Sequence, residues 1–126
     1  MALQSLTVEQ AAALERFCDV VVPGSGRVGP SIYIDALLSR MPAGAREGFV
    51  ASIEQLGEIA RGGAPALAPH AATPGFLGLR ALACEAFYSD FVAPGRDVAG
   101  AWDEIDFHPR AAAFLQKDWS YLGIDG

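Results

Sequence analysis

Lysine is nearly absent from this chain: Lys117 stands alone beside eight arginines scattered along the sequence. Fifteen acidic side chains outnumber these nine basic ones and leave a net charge of −6. Nucleic acids and anionic membrane surfaces reward clustered Lys and Arg, so this balance argues against either as a partner. Cysteine is as scarce, and Cys18 and Cys84 are too few for a disulfide scaffold and lack metal-type spacing. No uninterrupted apolar run is long enough to span a bilayer. The opening Met1-Ala-Leu-Gln-Ser-Leu-Thr7 has no basic stretch, no twin arginine and no apolar run of signal length. The expected compartment is therefore the cytoplasm.

What remains is a small apolar chain. Its 126 residues, 52% of them hydrophobic, suit one domain over 1–126 rather than a disordered segment. A chain of this size removes about two thirds of its unfolded surface from water, enough for a real core.

Helical periodicity accounts for most of the sequence. Thr7-Val-Glu-Gln10 has the capping-box pattern, after which Ala11, Leu14, Cys18 and Val21 recur at helical spacing until Pro23. A short helix follows Pro30, with Ile32, Tyr33, Ala36 and Leu37 expected inward and Asp35, Ser39 and Arg40 outward. A third runs from about Pro42 to Ala60 on Phe49, Ile53 and Leu56. Ala64 to Ala72 contains Pro65 and Pro69 and reads as an irregular loop that packs against the domain. Thr73-Pro74 restarts a helix whose apolar face includes Phe76, Ala83, Phe87 and Phe91, until Pro94-Gly95 breaks it. A short turn around Asp97–Asp106 follows, and Pro109 opens a last helix with Leu115, Trp119 and Leu122 on one side. No β-alternating run or internal repeat appears. The expected fold is all-α, a single bundle of about five to six short helices with long irregular loops.

One stretch goes beyond periodicity. Phe87-Tyr88-Ser89-Asp90 is followed by a Pro-Gly loop and then by Ala99-Gly-Ala-Trp-Asp-Glu-Ile-Asp-Phe-His-Pro109. This resembles the small (subunit 3, or gamma) subunit of the gluconate 2-dehydrogenase type, in which F-Y-S-D, a Gly-rich loop and G-x-W-x-x-I-G-F/Y-P follow in order. Leu6-Thr-Val-Glu-Gln10, Cys18-Asp-Val-Val-Val-Pro23 and Tyr33-Ile-Asp35 are similar to that family's first two helices. The chain departs from the pattern where Asp106 replaces the glycine, where Val92-Ala-Pro-Gly-Arg96 replaces Gly-Gly-Asn, and beyond Pro109. The resemblance implies a non-catalytic subunit of a hetero-oligomer, needed to assemble or stabilise a larger oxidoreductase. That partner would be of the glucose-methanol-choline type, would bind FAD and would oxidise a sugar or other alcohol. This chain itself has no Gly-rich βα fingerprint for a dinucleotide.

Candidate chemistry in the residues themselves is thin. His70 has no acidic or nucleophilic neighbour, whereas Asp106 could orient His108 as a general base. Asp103-Glu-Ile-Asp-Phe-His108 offers carboxylates and an imidazole but no metal-ligand spacing, and an acidic turn at a helix start explains it better. Ser89 has no nucleophile elbow around it and reads as a local backbone partner. Cys18 and Cys84 fall on apolar stripes and read as small buried hydrophobes. The alternative function is a small self-sufficient helical enzyme, lyase- or isomerase-like, using a carboxylate or His108 as base. A cavity lined by Asp90, Asp103 or His108 would favour it.

Aromatic residues carry the remaining signal. Tyr88, Trp102, Phe107 and Trp119 lie near breaks or in the tail, where large amphipathic side chains anchor interfaces. Trp102 and Trp119 stand between interface and core; Tyr88 goes to the interface because Phe87 already faces inward. With Asp90 of the F-Y-S-D motif, these are the candidate partner contacts. No catalytic, cofactor-binding or metal-ligating residue is assigned to the chain.

Overall fold

The hydroxyl of Thr7 accepts the Gln10 N–H at 3.1 Å while the Gln10 side chain accepts the Thr7 N–H at 2.9 Å. This reciprocal cap starts α1, Val8–Val21, in the computed structural model, which describes residues 3–105 and 119–124. The buried stripe of α1 comprises Ala13, Leu14, Phe17 and Cys18. Pro23 lies just beyond it, and a 3-10 turn over Ser25–Val28 leads to α2, Pro30–Ser39, with proline at its first position.

Helix α2 is buried nearly all round, which overturns the expected two-sided pattern. Ile34 and Leu38 are fully inside, Ile32 and Leu37 are only partly buried, and Asp35 is 2% exposed. The reason is a strap that the periodicity of α2 cannot reveal. Residues 4–6 cross the helix, and the Asp35 carboxylate accepts the N–H groups of Gln4, Ser5 and Leu6 at 2.6, 2.8 and 2.8 Å. A buried carboxylate is tolerated when hydrogen bonds replace its water, as these do.

Helix α3, Ala43–Ile59, packs chiefly on α1 and also on α5. Its crossing with α1 is close because Gly57 has no side chain: a Cβ there would lie 2.7 Å from the Ala13 carbonyl oxygen. The segment expected as a loop is instead α4, Gly63–Leu67, followed by a 3-10 turn over Ala68–His70. Pro65 is accommodated because it falls in the first turn, where backbone N–H groups have no helical acceptor. Packing does hold the segment down, through the buried Leu67.

Helix α5, Pro74–Tyr88, opens under the Thr73 hydroxyl, which accepts the Phe76 N–H at 3.3 Å. It stops sooner than its apolar spacing suggests, because Asp90 takes a left-handed conformation (φ +64°). Aspartate tolerates that region better than most residues, but a helix cannot continue through it. Phe91 is still fully buried, reached by the loop rather than by the helix. Helix α6 is one turn, Ala101–Glu104, and a 3-10 turn spans Ser120–Leu122. The expected last helix from Pro109, with Leu115, lies outside the described residues up to Trp119.

The fold is all-α, with no strand among the described residues. Its centre joins Leu14 and Phe17 of α1, Ile34 and Leu38 of α2, Ile53 of α3 and Leu79 of α5. Phe17 meets Phe76 edge-on at 5.4 Å, a favoured aromatic geometry. Among the described residues no helix is long and apolar enough to cross a membrane.

Candidate functional site

The F-Y-S-D motif and the Gly-Ala-Trp motif, twelve residues apart at Asp90 and Trp102, fold onto each other. Asp90 Oδ1 accepts the Trp102 N–H at 3.1 Å, and the Trp102 indole N–H donates to the Tyr88 carbonyl at 3.0 Å. Helix α6 has no capping side chain of its own at Gly100, so Asp90 supplies one from across the loop. Gly100 lies so close to the Asp90 carboxylate that a Cβ there would collide with it. Ser89 bonds the Ala86 carbonyl at 3.2 Å, the local role expected for it.

The loop between the motifs is tied to the turn before α2. Ala93 N–H donates to the Val28 carbonyl at 2.8 Å. Arg96 Nη1 donates to the Gly26 carbonyl at 2.7 Å and to that of Arg27 at 3.2 Å. In return Arg27 Nε donates to the Ala99 carbonyl at 3.1 Å, and its guanidinium lies 5.1 Å from the centre of the Phe87 ring. That placement adds a cation–π contact to the junction.

The candidate contacts therefore separate. Tyr88 is 48% exposed, its ring set edge-on against Phe87 at 5.1 Å. Trp102 is partly exposed, and Ile105, one turn on, is 53% exposed. Asp90 is buried and turned inward, so it shapes this surface from beneath. Trp119 packs edge-on against Tyr33 and Phe91 at 5.8 and 5.5 Å, so it is partly buried against the core cluster. Phe107, Asp106 and His108 lie outside the described residues. His70 acts through its backbone, its carbonyl accepting the Thr73 hydroxyl at 2.8 Å. Cys18 and Cys84 are free thiols, and burial raises the Cys18 pKa far from the thiolate range.

Sequence reasoning missed Glu15. Its Oε1 accepts the Ser31 hydroxyl at 3.1 Å, while Oε2 is buried without a hydrogen-bond partner. Burial pushes its carboxyl up to about 7; Asp19 adds to the rise, and Ser31 and Arg96 oppose it. A signal existed: Glu15 stands four residues after Ala11 and three before Cys18, on the edge of the apolar stripe.

Among the described residues the surface carries open grooves, three of which are large enough to consider as sites. One of about 590 Å³ between α1 and α3 is lined mostly by polar and charged residues, and its Glu54 and Glu58 already bind Gln10 and Arg61, each at 2.9 Å. A second, about 390 Å³, is lined by Val20, Val21, Leu67 and Phe76 with Arg80 beside them. The third, about 300 Å³, lies between Phe49 and the small residues Gly75 and Gly78. None of the three is lined by Asp90 or Asp103. Among the described residues no cluster of three or more His, Cys, Asp or Glu could hold a metal ion. No family model matches the chain, and neither a curated protein nor a solved structure matches it.

Proposed function

We propose that this chain is a non-catalytic small subunit that binds and stabilises a larger FAD-dependent oxidoreductase of the glucose-methanol-choline type. The partner holds the flavin and oxidises a sugar or other alcohol; this chain contributes surface. One observation carries the reading. Two of the motifs that carry the family resemblance, F-Y-S-D and Gly-Ala-Trp, converge on a surface that displays Tyr88, Trp102 and Ile105 on a hydrogen-bonded frame. Aromatic anchors held in place before binding lose little freedom when they dock, which is the property of an interface centre. A ligand selective for the native partner shifts that partner toward its folded, flavin-loaded state.

The test is a pull-down of the tagged chain from its native host, with an absorbance scan of the eluate. A co-purifying protein several times its mass, with flavin bands, is the expected result. Trp102→Ala should lower the yield of that partner while leaving the helical circular dichroism intact. A chain that elutes alone and colourless sinks the proposal.

A further inference from the structure

The groove between the end of α1, α4 and the first half of α5 has an apolar floor and a guanidinium at its edge. Leu67 and Phe76, 3% and 7% exposed, form the floor. Phe76 is fixed in place by the Phe17 ring, edge-on at 5.4 Å, and by its N–H, which the Thr73 hydroxyl accepts at 3.3 Å. The partly buried Val20 and Val21 form one side, and the exposed Ala68 and Ala71 the other. Among the described residues no acidic side chain lines the groove, in a chain that carries fifteen of them. Its volume of about 390 Å³ falls within the range of small-molecule sites, about 300–1,000 Å³.

Arg80 follows Phe76 by one helical turn on α5, so the two share a face. Helical side chains lean toward the N-terminus, which carries the Arg80 side chain back along the groove that it lines. Arg16, Arg27, Arg40, Arg61 and Arg96 each donate to a carbonyl or carboxylate within 3.1 Å. Arg80 is exposed and makes no hydrogen bond or ion pair among the described residues. Its planar fork is therefore open to a carboxylate, which it can bind through two parallel N–H···O bonds. A sugar acid or a nucleotide would press unpartnered oxygens onto Leu67 and Phe76, so the body of the ligand must be apolar.

We propose that this groove binds a small apolar monocarboxylate, its hydrocarbon chain on Leu67 and Phe76 and its carboxylate on the Arg80 guanidinium. The site stands on this chain alone and lies apart from the Tyr88–Trp102 surface, so it can hold or fail independently of the subunit reading.

The experiment follows amide resonances of the full isotope-labelled chain at neutral pH and low salt, with octanoate, hexanoate and octanol as probes. Octanoate should shift the amides of Ala68, Ala71 and Arg80 saturably. It should bind about 5–10-fold tighter than hexanoate, because each methylene taken fully out of water is worth about four-fold. Octanol, which has the chain without the charge, should reach the same amides about 3–10-fold more weakly. Arg80→Gln should bring octanoate down to the octanol level and leave octanol unchanged. Ala68→Phe, which fills the groove, should abolish both. Arg80 and Ala68 are exposed, and an unchanged helical circular dichroism confirms that each variant folds. Equal binding of octanoate and octanol overturns the proposal, as does octanoate binding that Arg80→Gln leaves intact. Shifts scattered over the surface or centred on Tyr88 and Trp102 overturn it as well. If the same amides move when the ligand-free chain is concentrated, a second copy occupies the groove and the proposal falls.

Discussion

Asp90 caps a helix to which it does not belong. Its carboxylate receives the Trp102 N–H at 3.1 Å, while its own backbone turns left-handed at φ +64° to end α5. One residue thus stops one helix and starts the next, and this fixes how Trp102 is presented.

Asp90→Ala removes the cap and leaves an alanine in a conformation it resists. It should destabilise the chain by about 2–3 kcal/mol and shift tryptophan emission to the red. Asp90→Asn keeps both the acceptor oxygen and the tolerance of positive φ, and should lose less than about 1 kcal/mol. Urea unfolding monitored by fluorescence separates the two, and equal losses would contradict the capping role.

The crossing of α1 and α3 depends on the missing side chain at Gly57. Gly57→Ala forces a Cβ to within 2.7 Å of the Ala13 carbonyl and should cost about 2–3 kcal/mol as the helices part. Gly48 sits on the same helix with open space around its Cβ position. Gly48→Ala should therefore stabilise the chain by about 0.5–1 kcal/mol through helix propensity. Opposite signs on one helix, read from denaturation midpoints, are the expected outcome.

The strap over α2 makes a third prediction. Asp35→Ala leaves the N–H groups of Gln4, Ser5 and Leu6 without their acceptor and should cost about 3 kcal/mol or more. The damage should spread to the C-terminal turn, because the Gln4 side chain donates to the Leu122 carbonyl at 2.9 Å and Arg40 to that of Tyr121 at 3.1 Å. Limited proteolysis should then cut within both terminal segments at an early time point.

The pH dependence of stability follows from Glu15. Its carboxyl rises from the ordinary 4.5 to about 7 on folding, so the folded chain keeps a proton that the unfolded chain releases. Unfolding between those values frees a proton, and the stability associated with this group falls as pH rises. The contribution is fully present below about pH 4.5, lost by about pH 7, and amounts to at most about 3 kcal/mol. Glu15→Gln should therefore melt higher than wild type at pH 8 and flatten the profile between pH 5 and 7. Thermal unfolding across that range checks both statements.

How legible the molecule was depends on how far each feature reaches along the chain. The capping box at Thr7, the proline starts of α2 and α5 and the apolar stripe of α1 are written within a few residues. Local chemistry determines them, and the all-α fold follows. Asp35 was misread because its partners lie some thirty residues away, and helical period says nothing about a strap. The end of α5 was overshot because Phe91 keeps the apolar spacing after the backbone has turned at Asp90. Pro65 and Pro69 suggested a loop, yet first-turn placement lets α4 and its 3-10 turn form around them.

The same division holds for the candidate surface. The order of the F-Y-S-D and Gly-Ala-Trp motifs is a property of the sequence, and it singled out Tyr88, Asp90 and Trp102. Only the tertiary structure decided that Asp90 turns inward, that Tyr88 faces out and that Trp119 packs, partly buried, against the core. Those outcomes depend on which distant groups satisfy buried hydrogen bonds and fill space, and a linear pattern carries neither quantity.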